Sequence, residues 1–308
     1  TNMGWTKLFS SIFILFAVSL LVFYWFIPMK TIEFGAKSQN SNFNMNDSVK
    51  GNIQFYDNLR YSSPRISYNI YDCPLQKVYN MERAIEVISN ETILEFYSVD
   101  SNEEISITCD SKNKIKEGLF IAGEGGPTNI TKTGRFNVIS HGDILLIKKT
   151  LCQRPNVETH ELLHALGFDH SNNKENIMYN ISKCSQEIGE DTIRLIDELY
   201  STPSYFDLSF EDISAVMHGR YLDLNVSIMN KGLKDSKEST IIVYADKKII
   251  KEIDLDSMKI GSGRLITLSN IWVSKISIKE LELFINSSFN EIEKENNKII
   301  LEIKKIKK

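Results

Sequence analysis

The stretch His160-Glu161-Leu162-Leu163-His164-Ala165-Leu166-Gly167-Phe168-Asp169-His170 holds three of the chain's five histidines. On a helix, His160 and His164 project from one face, one turn apart, where both imidazoles reach a single metal ion. Gly167 is able to take a positive φ that ends the helix, so the chain turns back and His170 supplies a third ligand. Three histidines leave one position of a tetrahedral Zn2+ ion open to water, which separates a catalytic site from a closed structural one. Glu161 follows the first ligand and is not needed for coordination. Its carboxylate is placed to take a proton from a water activated by the metal and to return it to a leaving amine, while zinc polarises the scissile carbonyl. The competing reading is a set of surface histidines that fell into this spacing by chance, which is expected on the order of once in 10⁵ such chains.

Outward from this cluster, a chain of 308 residues with 42% hydrophobic content has room for two globular units and appendages. The formal net charge of −4, with both signs mixed along the chain, provides no basic footprint, and nucleic acid is set aside as a partner. Leu8 to Ile27 is uncharged and mostly apolar, flanked by Lys7 and Lys30 and closed by Pro28. That is long enough to cross a hydrocarbon layer of ~30 Å. A cleaved signal peptide and a buried core helix are the alternatives. The long apolar core, the lack of a small-x-small cleavage site and Tyr24-Trp25-Phe26 at the interface favour an uncleaved single-pass anchor at 8–27.

Residues 1–7 then form a short tail and residues 28–52, rich in Ser, Asn and Lys, a stalk. From 53 to 204 the pattern mixes a helix over Val78–Ser89, strands at Ile93–Ser98, Ile105–Thr108 and Ile144–Lys148, the histidine helix and a last helix over Asp191–Tyr200. Gly123-Glu124-Gly125-Gly126-Pro127 reads as a loop without the spacing of a phosphate cradle. Residues 205–308 read as strands alone, with Leu222, Leu224, Val226 and Ile228 alternating against polar residues and a turn at Asn230-Lys231-Gly232. Further strands are expected at Ile241–Tyr244, Ile249–Ile253, Leu265–Val273, Leu281–Ile285 and Ile299–Ile303, the rhythm of an antiparallel sandwich.

The segment His160 to His170 resembles the extended zinc-binding motif of the metzincin metallopeptidases, and Ser171 after the third histidine is similar to the matrixin branch. Ile177-Met178-Tyr179 stands where matrixins carry their Met-turn, which implies Met178 as the hydrophobic base beneath the metal. The helix Asp191–Leu199, ending in Tyr200, also resembles the matrixin domain, whereas Asn180 stands where a proline is usual. The resemblance spans roughly Ile66 to Tyr200 and is specific from His160 to Met178. It implies an α+β zincin-type fold with zinc held by His160, His164 and His170, and Glu161 as general base. Two departures matter. Cys152-Gln153-Arg154-Pro155 has the wrong order and place for a prodomain cysteine switch, and Tyr179 follows the methionine directly, so it is given no ligand role. In matrixins a strand near Ile144 pairs with extended substrate, so His141-Gly142-Asp143 is a candidate for lining the cleft, with an ordinary surface histidine as the favoured alternative. His218 is given no role.

Four cysteines without zinc-knuckle or redox-pair spacing read as disulfides outside the cytoplasm, with buried structural thiols as the alternative. A Cys152–Cys184 bond would close a loop around the site and stabilise by roughly 3 to 4 kcal/mol, leaving Cys73 with Cys109. Six Asn-x-Ser/Thr sequons, from Asn46 to Asn286, fit the same compartment. The segments Leu224–Gly232 and Phe289–Lys298 resemble the cell-adhesion-related, immunoglobulin-like sandwich of prokaryotic surface proteins, which implies either a cell-surface ligand or a spacer role. Together these readings give a membrane-anchored endopeptidase facing outward, with peptides or proteins as substrates. The rival is a surface adhesion protein with a vestigial, non-catalytic protease domain.

Overall fold

The computed structural model describes residues 13–19, 53–111, 115–116, 119–147, 152–218, 220–275 and 278–301. Residues 13–19 are helical and expose Phe13, Leu15 and Phe16. The remainder of the expected anchor at 8–27, the tail, the stalk up to residue 52 and the lysine-rich end lie outside the described residues. Among the described residues, no helix is long and apolar enough to cross a membrane.

From residue 53 onward the structure is mixed α and β. Strands β1 (Leu59–Tyr61), β2 (Arg65–Ile70), β3 (Glu95–Ser98), β4 (Ile105–Cys109) and β8 (Asn137–Leu146) run parallel in the order β1-β8-β4-β2-β3. Strand β7 (Gly123–Lys132) joins β8 antiparallel through the turn at Gly134. A small ribbon, β5 (Ile115–Lys116) with β6 (Leu119–Phe120), precedes it. Helices α1 (Leu75–Glu91), α2 (Asn156–Ala165) and α3 (Glu190–Ser201) complete this part. Its core joins Leu59, Ile66, Met81, Ile88, Ile105 and Ile107 to Leu162 and Leu163 of α2.

The histidine helix is tied down at both ends. Lys77 of α1 donates to the carbonyls of Asp110, Leu146 and Ile147 at 2.7–3.0 Å, and with the Asp110 N–H bonded to the Leu146 carbonyl at 3.0 Å this ties the ends of β4 and β8 to α1. Asn80 of α1 donates to the buried Glu158 carboxylate at 3.2 Å, which fixes the first turn of α2. At the other end, the Tyr61 hydroxyl donates to the carbonyl of Ala165 at 3.1 Å, one of the acceptors a helix terminus leaves open. Arg60, fully buried, lies over the Tyr200 ring at 4.2 Å and donates to the carbonyls of Leu199 and Thr202, which holds α3 against β1. Disulfides join Cys73 to Cys109 and Cys152 to Cys184.

The last third of the chain is all-β. Strands β9 (Leu208–His218), β10 (Tyr221–Asn230) and β13 (Gly263–Trp272) form one antiparallel sheet in the order β13-β10-β9. Strands β11 (Ser239–Ala245), β12 (Lys248–Leu255), β14 (Leu281–Asn286) and β15 (Lys298–Leu301) form the other, in the order β12-β11-β14-β15. The two sheets share a core of Leu222, Leu224, Val226, Ile228, Ile241, Val243, Leu281, Leu283 and Ile285. The alternation read from Leu222 to Ile228 is the inward face of β10.

One local expectation is corrected, and the less favoured of two alternatives loses one support. Gly123-Glu124-Gly125-Gly126-Pro127 is not a loop but the first half of β7. Glycine has poor intrinsic strand preference, yet these positions lie against α2, where backbone must approach backbone: a methyl group on Gly125 would fall 2.3 Å from the Glu161 carbonyl oxygen. His141-Gly142-Asp143 does not line an open edge. It sits inside β8, with Gly142 paired to Pro127 on one side and Ile105 on the other, so its main chain has no free edge to offer a peptide.

Candidate metal centre and active site

His160 and His164 lie on α2, whose ten residues are all buried. The helix ends at Gly167, where φ is +101°. The Phe168 N–H donates to the Leu163 carbonyl at 3.0 Å and the Gly167 N–H to the His164 carbonyl at 2.9 Å, the paired bonds of a Schellman C-cap. Only glycine fits there, because a Cβ would also fall 2.7 Å from Leu59 Cδ2. The reversal carries His170 back toward the helix. Its side chain is exposed, whereas those of His160 and His164 are buried.

The three imidazoles converge. His164 Nε2 stands 3.0 Å from His160 Nε2 and 3.2 Å from His170 Nε2, and one ring nitrogen of each lies within 4.8 Å of those of the others. The opposite nitrogens of the two helix histidines are engaged: His160 Nδ1 is 2.6 Å from the Ile177 carbonyl and His164 Nδ1 is 2.7 Å from the Phe168 carbonyl. A carbonyl oxygen only accepts, so each Nδ1 carries the proton and each Nε2 presents a bare lone pair. Burial lowers the His160 pKa to about 4 and that of His164 well below the ordinary histidine value, and the backbone bonds only partly oppose this. Neutral imidazoles with lone pairs facing one another at this distance repel unless a cation lies between them. Nitrogens bound 2.0–2.1 Å from one tetrahedral zinc ion stand roughly 3.3 Å apart, close to the spacing seen. The donor set therefore fits a zinc ion, and the two carbonyls orient the ligands.

Met178, 2% exposed, belongs to the core. It sits in a turn in which its N–H meets Asn176 Oδ1 at 2.8 Å and its carbonyl accepts from Ser171 at 2.8 Å. That turn holds the Ile177 carbonyl against His160, a link between the two motif halves that the sequence spacing alone did not reveal. Tyr179 is engaged in the same turn through the Asn176 carbonyl.

Glu161 is 5% exposed and packed under β7. Burial first, then the Glu124 and Glu158 carboxylates, push its pKa up to about 8, while the Gly125 N–H bonded to it acts in the opposite direction. A carboxyl so perturbed marks a position where local packing does not favour the charged form. His141 is engaged elsewhere, 3.1 Å from the Glu103 carbonyl, 3.3 Å from Ser106 and 3.3 Å from Asp143. His218 is exposed on β9, 3.8 Å from Asp223. Sequence reasoning overlooked Asn80, Glu158 and the glycines of β7. The only available signal was the run of three glycines within four residues ahead of Pro127.

A parallel sheet with one antiparallel border strand, a buried helix bearing two histidines and a third histidine after a glycine reversal make up a zincin-like arrangement in which a metal ion could be held. Residues 57–201 match the family model of the matrixin peptidases, and this part of the chain is a matrixin-like domain. Among curated proteins, none matches the chain. Over the C-terminal part, the similar solved structures include two domains. One is the CARDB domain of a Pyrococcus furiosus protein in complex with di-metal ions, at 15% identity and a TM-score of 0.29, covering 33% of this chain and 90% of that one. The other is a domain of a proposed cell surface protein from Methanosarcina acetivorans, at 15% identity and a TM-score of 0.30, covering 34% and 95%.

Proposed function

We propose that the chain is a zinc-dependent endopeptidase, tethered by residues 8–27 and facing outward from the cell. The observation that carries this reading is the convergence of three imidazole Nε2 atoms, with the buried Glu161 next to His160 on the same helix. His160, His164 and His170 would hold the ion, and zinc, when bound, supplies Lewis-acid polarisation of a peptide carbonyl and a lowered water pKa. Glu161 does the proton work. Its carboxylate accepts a proton from the attacking water and delivers it to the nitrogen of the departing amine. A nearby cation favours the ionised carboxylate, which counters the upward push of burial.

The border strand β7 pairs with β8 on one side only, and among the described residues its other edge carries no strand. An extended peptide adds to such an edge through main-chain hydrogen bonds, which positions a peptide bond without reading every side chain. The tether and outward orientation are supported by the apolar run at 8–27, the two disulfides and the sequons.

The test is cleavage of a generic protein substrate by the full chain, wild type beside Glu161→Ala, with zinc measured in both. The expected result is zinc in both and cleavage by the wild type alone. Zinc in both with cleavage by neither would favour the rival reading, a surface-binding protein with a vestigial site.

A further inference from the structure

We propose that the sandwich buttresses the cleft-lining strand β7, so that loosening its grip on the β7–β8 hairpin weakens peptide binding at the opposite end of that strand, where it packs on Glu161. The activity half of this proposal rests on the peptidase reading above, and the structural half rests on the fold alone.

Strand β7 has two anchored ends. At its start, Gly123 and Gly125 lie against Glu161: a Cβ on Gly123 would fall 2.6 Å from Glu161 Cγ. Its other end, ~30 Å away at 3.4 Å per residue, is held by the sandwich. There Gly261, at φ +67°, lies so close that a Cβ would fall 2.6 Å from Thr131 Cγ2 and 2.8 Å from the Lys132 carbonyl oxygen. Just past the turn, Phe136 and Val138 of the hairpin are buried with Leu233 of the sandwich in a small apolar cluster of their own. Arg135, at the hairpin tip, pairs with Glu293.

Between those ends the strand is weak. Its register against β8 slips between Pro127 and Asn129 and again between Asn129 and Ile130, and Pro127 has no N–H to give the ladder. A bulged border strand with one partner bends most easily at the bulge. With its far end clamped by the sandwich, β7 has no free arm to swing. A peptide that pairs along it meets an edge already straightened, so part of the ordering cost of binding is removed in advance.

The experiment follows amide hydrogen exchange and peptide kinetics in the full chain for wild type, Gly261→Val, Arg135→Glu, and Arg135→Glu combined with Glu293→Arg. Valine at 261 wedges the contact apart, whereas the charge reversal opens it from the surface and leaves both cores intact. The expected result is exchange of residues 123–130 faster by about fivefold in Gly261→Val and about threefold in Arg135→Glu, returning to wild type in the double reversal. KM for an extended peptide should rise by similar factors with kcat and zinc content unchanged. Faster exchange confined to residues 131–136, with 123–126 as in the wild type, overturns the proposal. So does an unrescued double reversal. Should no variant, wild type included, cleave peptide, the exchange pattern still decides the buttress while the peptidase reading falls separately. If valine at 261 melts the sandwich, seen as lost protection in β11, the charge-reversal pair decides alone.

Discussion

Helix α2 and strand β10 are each ten residues long, and they fill their cores by opposite rules. Strand β10 buries Leu222, Leu224, Val226 and Ile228 to 1% exposure or less and turns Tyr221 and Asn225 to solvent. These four inward side chains are aliphatic and stabilise at about 25 cal/mol per Å², while the buried Asn230 at the strand's end has its amide bonded to the Lys234 and Met258 carbonyls and to the Asp207 and Gly232 N–H groups. Helix α2 instead buries all its residues, among them Asn156, Glu158, Thr159, His160, Glu161 and His164. One Glu158 carboxylate oxygen and the Asn156 side-chain Oδ1 find no partner among the described residues. Taking such groups out of water costs free energy unless they are bonded or charge-compensated. The sandwich thus shows what a stretch looks like when it serves only stability. The helix shows local rules overridden where polar groups must be dry and fixed.

The sharpest break of this contrast is Glu161→Gln. A group that transfers protons contributes about 10²–10⁴-fold to rate, so kcat/KM should fall by about 10³-fold while zinc stays bound; an unchanged rate would place Glu161 with the structural residues. In the sandwich, Val226→Ala should do the reverse, costing about 1–3 kcal/mol in chemical denaturation with kcat and zinc content unaltered.

The metal-free chain separates the two regions by pH. Glu161, raised to about 8, keeps at pH 7 a proton that the unfolded chain has released, so its contribution falls as pH rises from about 4.5 toward 8. Removing that carboxyl by Glu161→Gln should therefore stabilise the metal-free protein at pH 7 by up to about 3 kcal/mol, read as a higher Tm. His160, lowered to about 4, acts with the other sign: the unfolded chain binds its proton first, so stability drops as pH falls from about 6.5 toward 4. No sandwich substitution should alter either slope. The smallest effect is expected at Arg65, paired with Glu95 across exposed surface, where Arg65→Ala should shift stability by less than about 0.5 kcal/mol.

The two regions also differed in how well they could be read. Strands β10, β11 and β14 were legible because alternation at period two is dictated by a single buried face. The convergence of His160, His164 and His170 was legible because four-residue spacing and a glycine stop are local geometry. Strand β7 was not. Its opening glycines answer to α2, which lies more than thirty positions later in the chain, and local preference points to a loop. Strand β9 was missed for a similar reason: Glu211 and Asp212 interrupt its alternation on the exposed face. The pairing of Asn80 with Glu158 is beyond any local pattern, since it joins two helices across 78 positions.

The Cys152–Cys184 bond encloses α2, the glycine reversal, all three histidines and the Met178 turn in one covalent ring. If the chain cuts peptide bonds as proposed, its own exposed loops are at hand as targets, and Asn172 to Glu175 are exposed within that ring. A single nick there turns the ring into two arms still joined through sulfur. The ligands remain on one molecule, and the fragment cannot diffuse away. The bond thus makes the site tolerant of self-inflicted damage at the place where the chain is most open to it.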